Sequence, residues 1–197
     1  MPLTRLPPAY LASEPPEFSW VGETQRHIGT VVHGWLEYLT QLPALPSADA
    51  IAGESTAVLA QLQRLGVPAR DQSRAVGIIL EALRRTLADE RGRWILSTAH
   101  REARSEWELS GVTDSRLRSV KIDRSFIDEA GVRWVIDFKT SAHEGSGLEA
   151  FLEQEVQRYR PQLEGYAELA AAVGPERVRA ALYFPLLGAF RELSEGP

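Results

Sequence analysis

Asp137 and Lys139 stand two residues apart at the end of an apolar run, in the stretch WVIDFKTS at residues 134–141. Side chains alternate across a β-strand, so this carboxylate and this ammonium would share one face. The apolar side chains around them would face the core: Val132, Trp134, Ile136 and Phe138. The Asp-x-Lys spacing is typical both of an ion pair at a strand end and of half of an active site, and it leaves both interpretations open.

Asp123 is a candidate partner for Asp137 across a hairpin. If residues 129–131 form a three-residue turn with Gly131 left-handed, the two strands pair symmetrically about Ala130. Asp123 then lies opposite Asp137, with Cβ atoms about 5 Å apart. Two opposed carboxylates repel unless a cation compensates, and hard oxygen ligands suit Mg²⁺ or Mn²⁺. A register shifted by one residue would instead place Asp123 on the opposite face.

His33 is a candidate metal ligand from a predicted helix over residues 24–41. The helix has an apolar stripe formed by Ile28, Val31, Val32, Trp35, Leu36 and Leu39. His33 lies off that stripe, beside Gly29 and Glu37. Glycine in a helix interior costs about 1 kcal/mol relative to alanine, so Gly29 indicates that another group approaches there. A solvated or structural histidine is the alternative.

Three further side chains are candidates by position. Gln162 and Tyr166 are four residues apart in a predicted helix, so they share a helix face. Glu106 lies in the middle of a predicted strand. An ordinary helix face and a solvent-facing acid are the alternatives for these residues.

The elements that must position these residues follow from the apolar periodicities. Helices are predicted near residues 24–41, 54–65, 70–90 and 148–172, and strands at 102–111, 116–128, 132–140, 176–187 and 189–193. Asp71 is expected to cap the third helix, and Pro161 to kink or restart the fourth. The order favours an α/β fold with a central mixed sheet of four to five strands flanked by helices and an N-terminal helical part.

The chain is expected to contain one domain and an N-terminal extension. Pro-punctuated residues 1–22 are predicted to be extended, and residues 23–197 to form the domain. Within the domain, residues 23–95 would be the helical part and residues 100–195 the catalytic sheet and helix.

Composition restricts the chemistry. The 197 residues include no cysteine, which excludes disulfides, thiolate zinc sites, Fe–S clusters and a cysteine nucleophile. Among 22 basic residues only Lys121 and Lys139 are lysines. No apolar run approaches the roughly 20 residues of a membrane helix, so no membrane partner is expected. No G-x-x-x-x-G-K-[ST] stretch is present, so the chain carries no P-loop of its own.

The order of these motifs resembles the RecB-family nucleases of the PD-(D/E)XK superfamily, above all the C-terminal nuclease domain of RecB- and AddA-type helicase–nucleases. The resemblance spans residues 26–187. It is carried by GTVVHGWLE, KIDRSF, VIDFKTS and YRPQLEGYA, in that order. It implies a restriction-endonuclease-like fold and a Mg²⁺- or Mn²⁺-dependent deoxyribonuclease.

The resemblance also assigns roles to residues. The metal would be held by His33, Asp123, Asp137 and the backbone carbonyl of Phe138. Lys139 would orient or help deprotonate the attacking water, and Glu106 would bind the metal through water. The catalytic set is therefore Asp123, Asp137, Lys139 and Glu106, with Gln162, Tyr166, Arg124 and Lys121 supporting the site or contacting DNA. Lys121 departs from the family, which often has glycine there.

The implied context is the exonuclease module of a helicase–nuclease in DNA recombination and repair. DNA, as a single-stranded end or a duplex, would be the substrate. A helicase motor in the same protein or in a separate subunit would be the partner. A cytoplasmic location, at the bacterial nucleoid, is expected. The alternatives are a nuclease-fold module that binds DNA or a helicase without cutting, and an unrelated α+β protein with a chance Asp-x-Lys.

Overall fold

Helices make up the first half of the protein, as the apolar periodicities predict. The computed structural model describes residues 16–113, 116–143 and 145–194. The helices of this half are α1 (Pro16–Leu39), α2 (Ser55–Arg64), α3 (Ala69–Ala88) and α4 (Glu90–Leu96), with a 3₁₀ helix at Ala48–Glu54 before α2. None of the helices in these described ranges has the length and apolarity that a membrane span requires.

The start of α1 differs from the prediction. The helix begins at Pro16, so residues 16–22 are helical rather than extended. The rest of the predicted extended segment, residues 1–15, lies outside the described residues. Residues 23–39 are helical as expected.

The third predicted helix, near residues 70–90, is confirmed as α3, and the short helix α4 that follows it is not among the predicted elements. The chain leaves helical geometry at Asp89, whose side chain accepts a hydrogen bond from the Gly92 amide and so caps α4. The expected cap at Asp71 is wrong: α3 begins at Ala69, and Asp71 lies in its first turn.

Five strands form one mixed sheet, which confirms the predicted fold class. They are β1 (Arg101–Thr113), β2 (Arg116–Ile127), β3 (Arg133–Phe138), β4 (Val178–Phe184) and β5 (Ala189–Glu192), and they lie in chain order. Only β3 and β4 are parallel, and helix α5 (Leu148–Ala171) makes the crossover that a parallel pair needs. α5 is continuous through Pro161, so the predicted restart at this residue is wrong.

The sheet separates two apolar cores. On one side the helical part packs against Phe126, Trp134 and Ile136. On the other side α5 packs against Val135 and Leu182. Strand β3 is consequently buried on both faces, and a charged residue on it is shielded from water wherever it points.

The turn before β3 has the predicted length. Gly131 has a φ of 77°, and its amide donates to the Asp128 carbonyl. Phe126 pairs with Trp134, so the strands pair symmetrically about Ala130. The next pairs of this register bring the end of β3 beside Asp123 of β2, as the hairpin argument predicts.

At one point along the β1–β2 pair, the side chains switch from one side of the sheet to the other. Ser105 pairs with Arg124, and both contact the helical part, whereas the pair Trp107 and Ile122 lies in the core beneath α5. Between the two pairs, Glu106 has a φ of 50°, a left-handed conformation that costs a residue with a side chain on the order of 1–3 kcal/mol. Neighbours two apart on a regular strand share a face, so this distortion reorients the side chains at Glu106 and Asp123.

Gly92→Ala should destabilise the protein strongly, because a Cβ at this position would overlap the Thr86 carbonyl oxygen and crowd the Tyr183 hydroxyl. We expect a loss of about 2–3 kcal/mol in the free energy of unfolding, measured by urea denaturation. Gly77→Ala is the matched control. It lies in the exposed interior of α3 with no atom within 4 Å of the added carbon, so the same change should be neutral or stabilise by up to about 1 kcal/mol. Equal effects of the two changes would contradict this packing.

Candidate active site

Asp137 is a buried carboxylate with polar partners on both oxygens. Its side chain is on the α5 face of β3, and the residue is 3% exposed. Oδ1 accepts hydrogen bonds from Gln162 Nε2 at 3.0 Å and from the Tyr166 hydroxyl at 3.4 Å. Oδ2 lies 2.7 Å from Lys139 Nζ. The four residues from the last two motifs of the sequence therefore form one cluster.

Lys139 follows β3 directly. Its amide donates to the Tyr183 carbonyl of β4 at 2.9 Å, which fixes the backbone where the strand ends. Its ammonium lies between Asp137 and the Gln162 Oε1 atom, which accepts from it at 3.3 Å. The Gln162 amide thus orients the carboxylate with one end and the ammonium with the other.

Asp123 connects three elements. Its Oδ2 accepts a hydrogen bond from the Phe138 amide at 2.7 Å, across the hairpin. Its Oδ1 lies 3.5 Å from His33 Nδ1 on α1. The carboxylate that the hairpin argument selects is therefore beside the end of β3 and beside the candidate histidine.

The His33 side chain extends from α1 towards the end of β3. Its Nε2 donates to the Phe138 carbonyl oxygen, 3.1 Å away, so both ring nitrogens face oxygen atoms. Gly29, one turn earlier, lets the chain after Lys139 come close: a Cβ there would lie 3.2 Å from Thr140 Oγ1. Thr140 is the group whose approach the glycine indicates.

Glu106 lies closer to His33 and Asp123 than its mid-strand position suggests. One ligand atom from each of these three residues lies within 4.8 Å of the other two. Asp137 is outside that trio, since its oxygens are turned towards Lys139 and Gln162. The carboxylate of Glu106 also pairs with the Lys121 ammonium at 2.5 Å, which places Lys121 at the edge of the site.

Arg124 lies inside the protein, where its guanidinium contacts the end of α4. It is 2% exposed, and it donates to the Ile95 and Ser97 carbonyls at the end of α4. Burial lowers its pKa to about 10. Of the two roles predicted for Arg124, this position is compatible only with support of the fold.

The charges of the site shift two pKa values in the same direction. Burial, together with the negative charge of Asp123, raises the pKa of Asp137 to about 6, although the Lys139 ammonium acts against this. Burial lowers the pKa of His33, but the hydrogen bond and charge of Asp123 outweigh it and the pKa lies above its ordinary value. The Asp123 carboxylate thus raises the pKa of both groups, and at Asp137 burial contributes more.

The donor set fits a divalent cation. Asp137 Oδ2 is buried and lacks a hydrogen-bond partner of good geometry, although the Lys139 ammonium lies beside it. Carboxylate oxygens, a backbone carbonyl and one imidazole nitrogen are hard or borderline ligands suited to Mg²⁺ or Mn²⁺. A bound cation would also offset the repulsion from Asp123 that, after burial, raises the pKa of Asp137.

In EDTA, Asp137 and His33 should each contribute less to the stability of the fold as pH rises from about 4 to 7. The folded-state pKa of Asp137 lies above its ordinary value of 3.8, so the folded protein binds more protons than the unfolded chain until about pH 6. His33 acts in the same direction, since the stability from its raised pKa is complete below 6.5 and is lost as pH rises through the folded value.

Asp137→Asn isolates this effect. Relative to the unmodified chain, the variant should gain up to about 3 kcal/mol of unfolding free energy between those pH values, measured by urea denaturation in EDTA. A difference between the two proteins that does not change with pH would contradict the burial of this charge.

The sequence motifs do not indicate that Ser141, two residues after Lys139, contacts α5. The Ser141 hydroxyl donates to Glu155 Oε2 at 2.8 Å, and Glu155 is 6% exposed on α5. Glu155, Tyr159, Gln162 and Tyr166 follow a helical i, i+4, i+7, i+11 spacing, a signal present in the sequence. α5 thus holds the segment after Lys139 on a continuous face.

An open cleft of about 760 Å³ leads to the site. It is lined by one face of α1 with Glu106, Asp123 and Thr140. The α1 face contributes Gln25, Arg26, Gly29, Thr30 and His33. A polymeric substrate could reach His33 and Asp123 along this cleft.

Comparison with models of known protein families gives a match over most of the chain. A family model described as the PD-(D/E)XK nuclease superfamily matches residues 10–192. The match covers all the motif residues discussed above. No curated protein matches the chain.

Proposed function

Because this chain belongs to the PD-(D/E)XK nuclease superfamily, we propose that it is a Mg²⁺- or Mn²⁺-dependent deoxyribonuclease. The superfamily makes it a metal-dependent nuclease with DNA as the expected substrate. We further propose that it is an exonuclease, the nuclease module of a RecB- or AddA-type helicase–nuclease in recombination and repair at the bacterial nucleoid.

One observation carries the proposal: His33, Asp123 and Glu106, from three separate elements, have ligand atoms within 4.8 Å of one another beside the end of β3, where Lys139 pairs with Asp137. A chance Asp-x-Lys would not need a histidine on α1 facing the Phe138 carbonyl. A module that only binds DNA would not need a lysine held by both Asp137 and Gln162. Together these contacts favour cleavage over binding alone.

Each residue of the site has a proposed task. When bound, a divalent cation lowers the pKa of a water molecule and stabilises negative charge on the phosphate. We assign its ligands to His33, Asp123, Asp137 and the Phe138 carbonyl, with Glu106 at its water shell. Lys139 orients the attacking water and stabilises charge that develops on the phosphate.

Residues outside the ligand set complete the proposed site. Gln162 and Tyr166 keep the Asp137 carboxylate in place through the hydrogen bonds to Oδ1. Lys121 is an exposed cation at the edge of the site and contacts a phosphate of the DNA strand, a contact that weakens as salt increases.

The context in a helicase–nuclease rests on the four sequence motifs and their order. The sequence has no P-loop, so ATP-driven movement would come from another part of a longer protein or from a separate subunit. A motor would deliver a DNA strand to the open cleft beside α1.

The test is a cleavage assay with purified protein. Linear single-stranded and double-stranded DNA, and circular single-stranded DNA, are incubated with Mg²⁺, Mn²⁺ or EDTA. We expect metal-dependent loss of linear DNA, with the circle resistant because it has no end. Cleavage of the circle would contradict the exonuclease proposal, and cleavage in EDTA the metal proposal. DNA binding without cleavage in either metal would favour the binding module.

A further inference from the structure

Glu155 and Tyr159 lie on the same face of α5 as Gln162 and Tyr166, but neither has a proposed role in catalysis. The face consists of Glu155, Tyr159, Gln162 and Tyr166, and the last two hold Asp137. Glu155 binds Ser141, two residues after Lys139. Tyr159 lies between these two groups of contacts and faces Lys139 itself.

Side chains of three residues surround the Lys139 ammonium. Asp137 Oδ2 lies 2.7 Å away, Gln162 Oε1 lies 3.3 Å away, and the centroid of the Tyr159 ring lies 3.9 Å away. The Lys139 side chain is only 17% exposed. At this distance the negative face of the ring attracts a cation, more strongly where water is excluded.

We propose that Tyr159 is a positioning residue for Lys139, an inference that rests on the proposed function. Its ring holds the ammonium from the α5 side without offering a lone pair. An N–H of Lys139 therefore stays available for the water or phosphate, while Gln162 accepts another and the Asp137 carboxylate pairs with the charge. A carboxylate in place of the ring would engage that N–H and neutralise the charge.

The kinetic test compares three variants with the unmodified protein. Tyr159→Leu removes the ring and should lower kcat by roughly 5–30-fold, with KM for DNA within about twofold. Tyr159→Phe keeps the ring and should keep kcat within about threefold of the unmodified protein. Tyr38→Leu, at a tyrosine of α1 that is 50% exposed, is the matched control and should leave kcat unchanged. Equal loss of kcat in the phenylalanine and leucine variants would overturn the proposal.

A second readout needs neither metal nor activity. The chain has two lysines, Lys121 and Lys139, so limited acetylation in EDTA followed by peptide mass spectrometry reports their relative reactivity. Tyr159→Leu should raise the Lys139-to-Lys121 ratio by roughly threefold or more, because the ring no longer covers the amine. Tyr159→Phe should leave the ratio unchanged. A ratio unaffected by Tyr159→Leu would overturn the proposed contact.

Fluorinated phenylalanines at position 159 keep the ring's shape if the leucine variant fails to fold. Increasing fluorination weakens the negative face, so kcat should fall and the acetylation ratio rise stepwise from phenylalanine to pentafluorophenylalanine. No trend would overturn the proposal. A chain that cleaves no DNA would contradict the proposed nuclease function instead, while the acetylation ratio still tests the contact between Tyr159 and Lys139.

Discussion

Asp137→Asn should reduce metal-dependent cleavage of DNA by at least about 10³-fold. The change removes the charge of a ligand from the centre of the site, yet the amide can still occupy the space between Gln162 and Lys139. The effect should therefore be on catalysis and metal affinity, with the fold retained. Single-turnover cleavage of end-labelled DNA over a range of Mn²⁺ concentrations measures both.

Asp49→Asn is the control for this change, since it removes the same charge from an exposed position in the 3₁₀ helix before α2. It should leave the cleavage rate unchanged. Cleavage by Asp137→Asn within about tenfold of the unmodified rate would show that this carboxylate is not in the catalytic centre.

Lys139→Met should lower the rate of the chemical step by about 10²–10³-fold, while Mn²⁺ affinity changes little. Methionine keeps much of the length of the side chain but carries no charge and donates no hydrogen bond. The proposal gives Lys139 a task in the transition state and none in holding the metal, so kcat should fall at saturating Mn²⁺. Rapid-quench kinetics separates this step from DNA binding.

Lys121→Met provides the comparison, because Lys121 is the other lysine of the chain. This ammonium lies at the edge of the site against Glu106 and is 54% exposed. Its removal should weaken DNA binding and reduce the salt dependence of KM by about one unit of log–log slope, with a smaller effect on kcat. If Lys121→Met lowered kcat more than Lys139→Met, the roles assigned to the two lysines would be reversed.

The hairpin shows how much of the site is predictable from sequence. Alternation puts Asp137 and Lys139 on one face, and the turn chemistry of Gly131 sets the register that brings Asp123 beside the strand end. Both are local rules that act over a few residues. The helical stripe of α1 likewise places His33 off the core face, and the structure turns that face towards Asp123.

What sequence reasoning misses depends on contacts between distant elements. Left-handed backbone is usually marked by glycine, but here the residue is a glutamate. The local sequence therefore does not indicate that the Glu106 side chain lies close to His33. Arg124 reads as one of several basic residues near a motif, and only the position of α4 shows that it is buried. The packing of α5 allows a helix to continue through Pro161, where local preference predicts a break.

The most direct test of the account is the position of Mn²⁺ in a crystal of the protein, located by its anomalous scattering. We expect one ion bound by His33, Asp123, Asp137 and the Phe138 carbonyl, with ligand distances of about 2.0–2.6 Å. An ion held by His33, Asp123 and Glu106 without Asp137 would contradict the proposed ligand set. If no ion is found at this site in crystals grown with saturating Mn²⁺, the metal-dependent mechanism is contradicted.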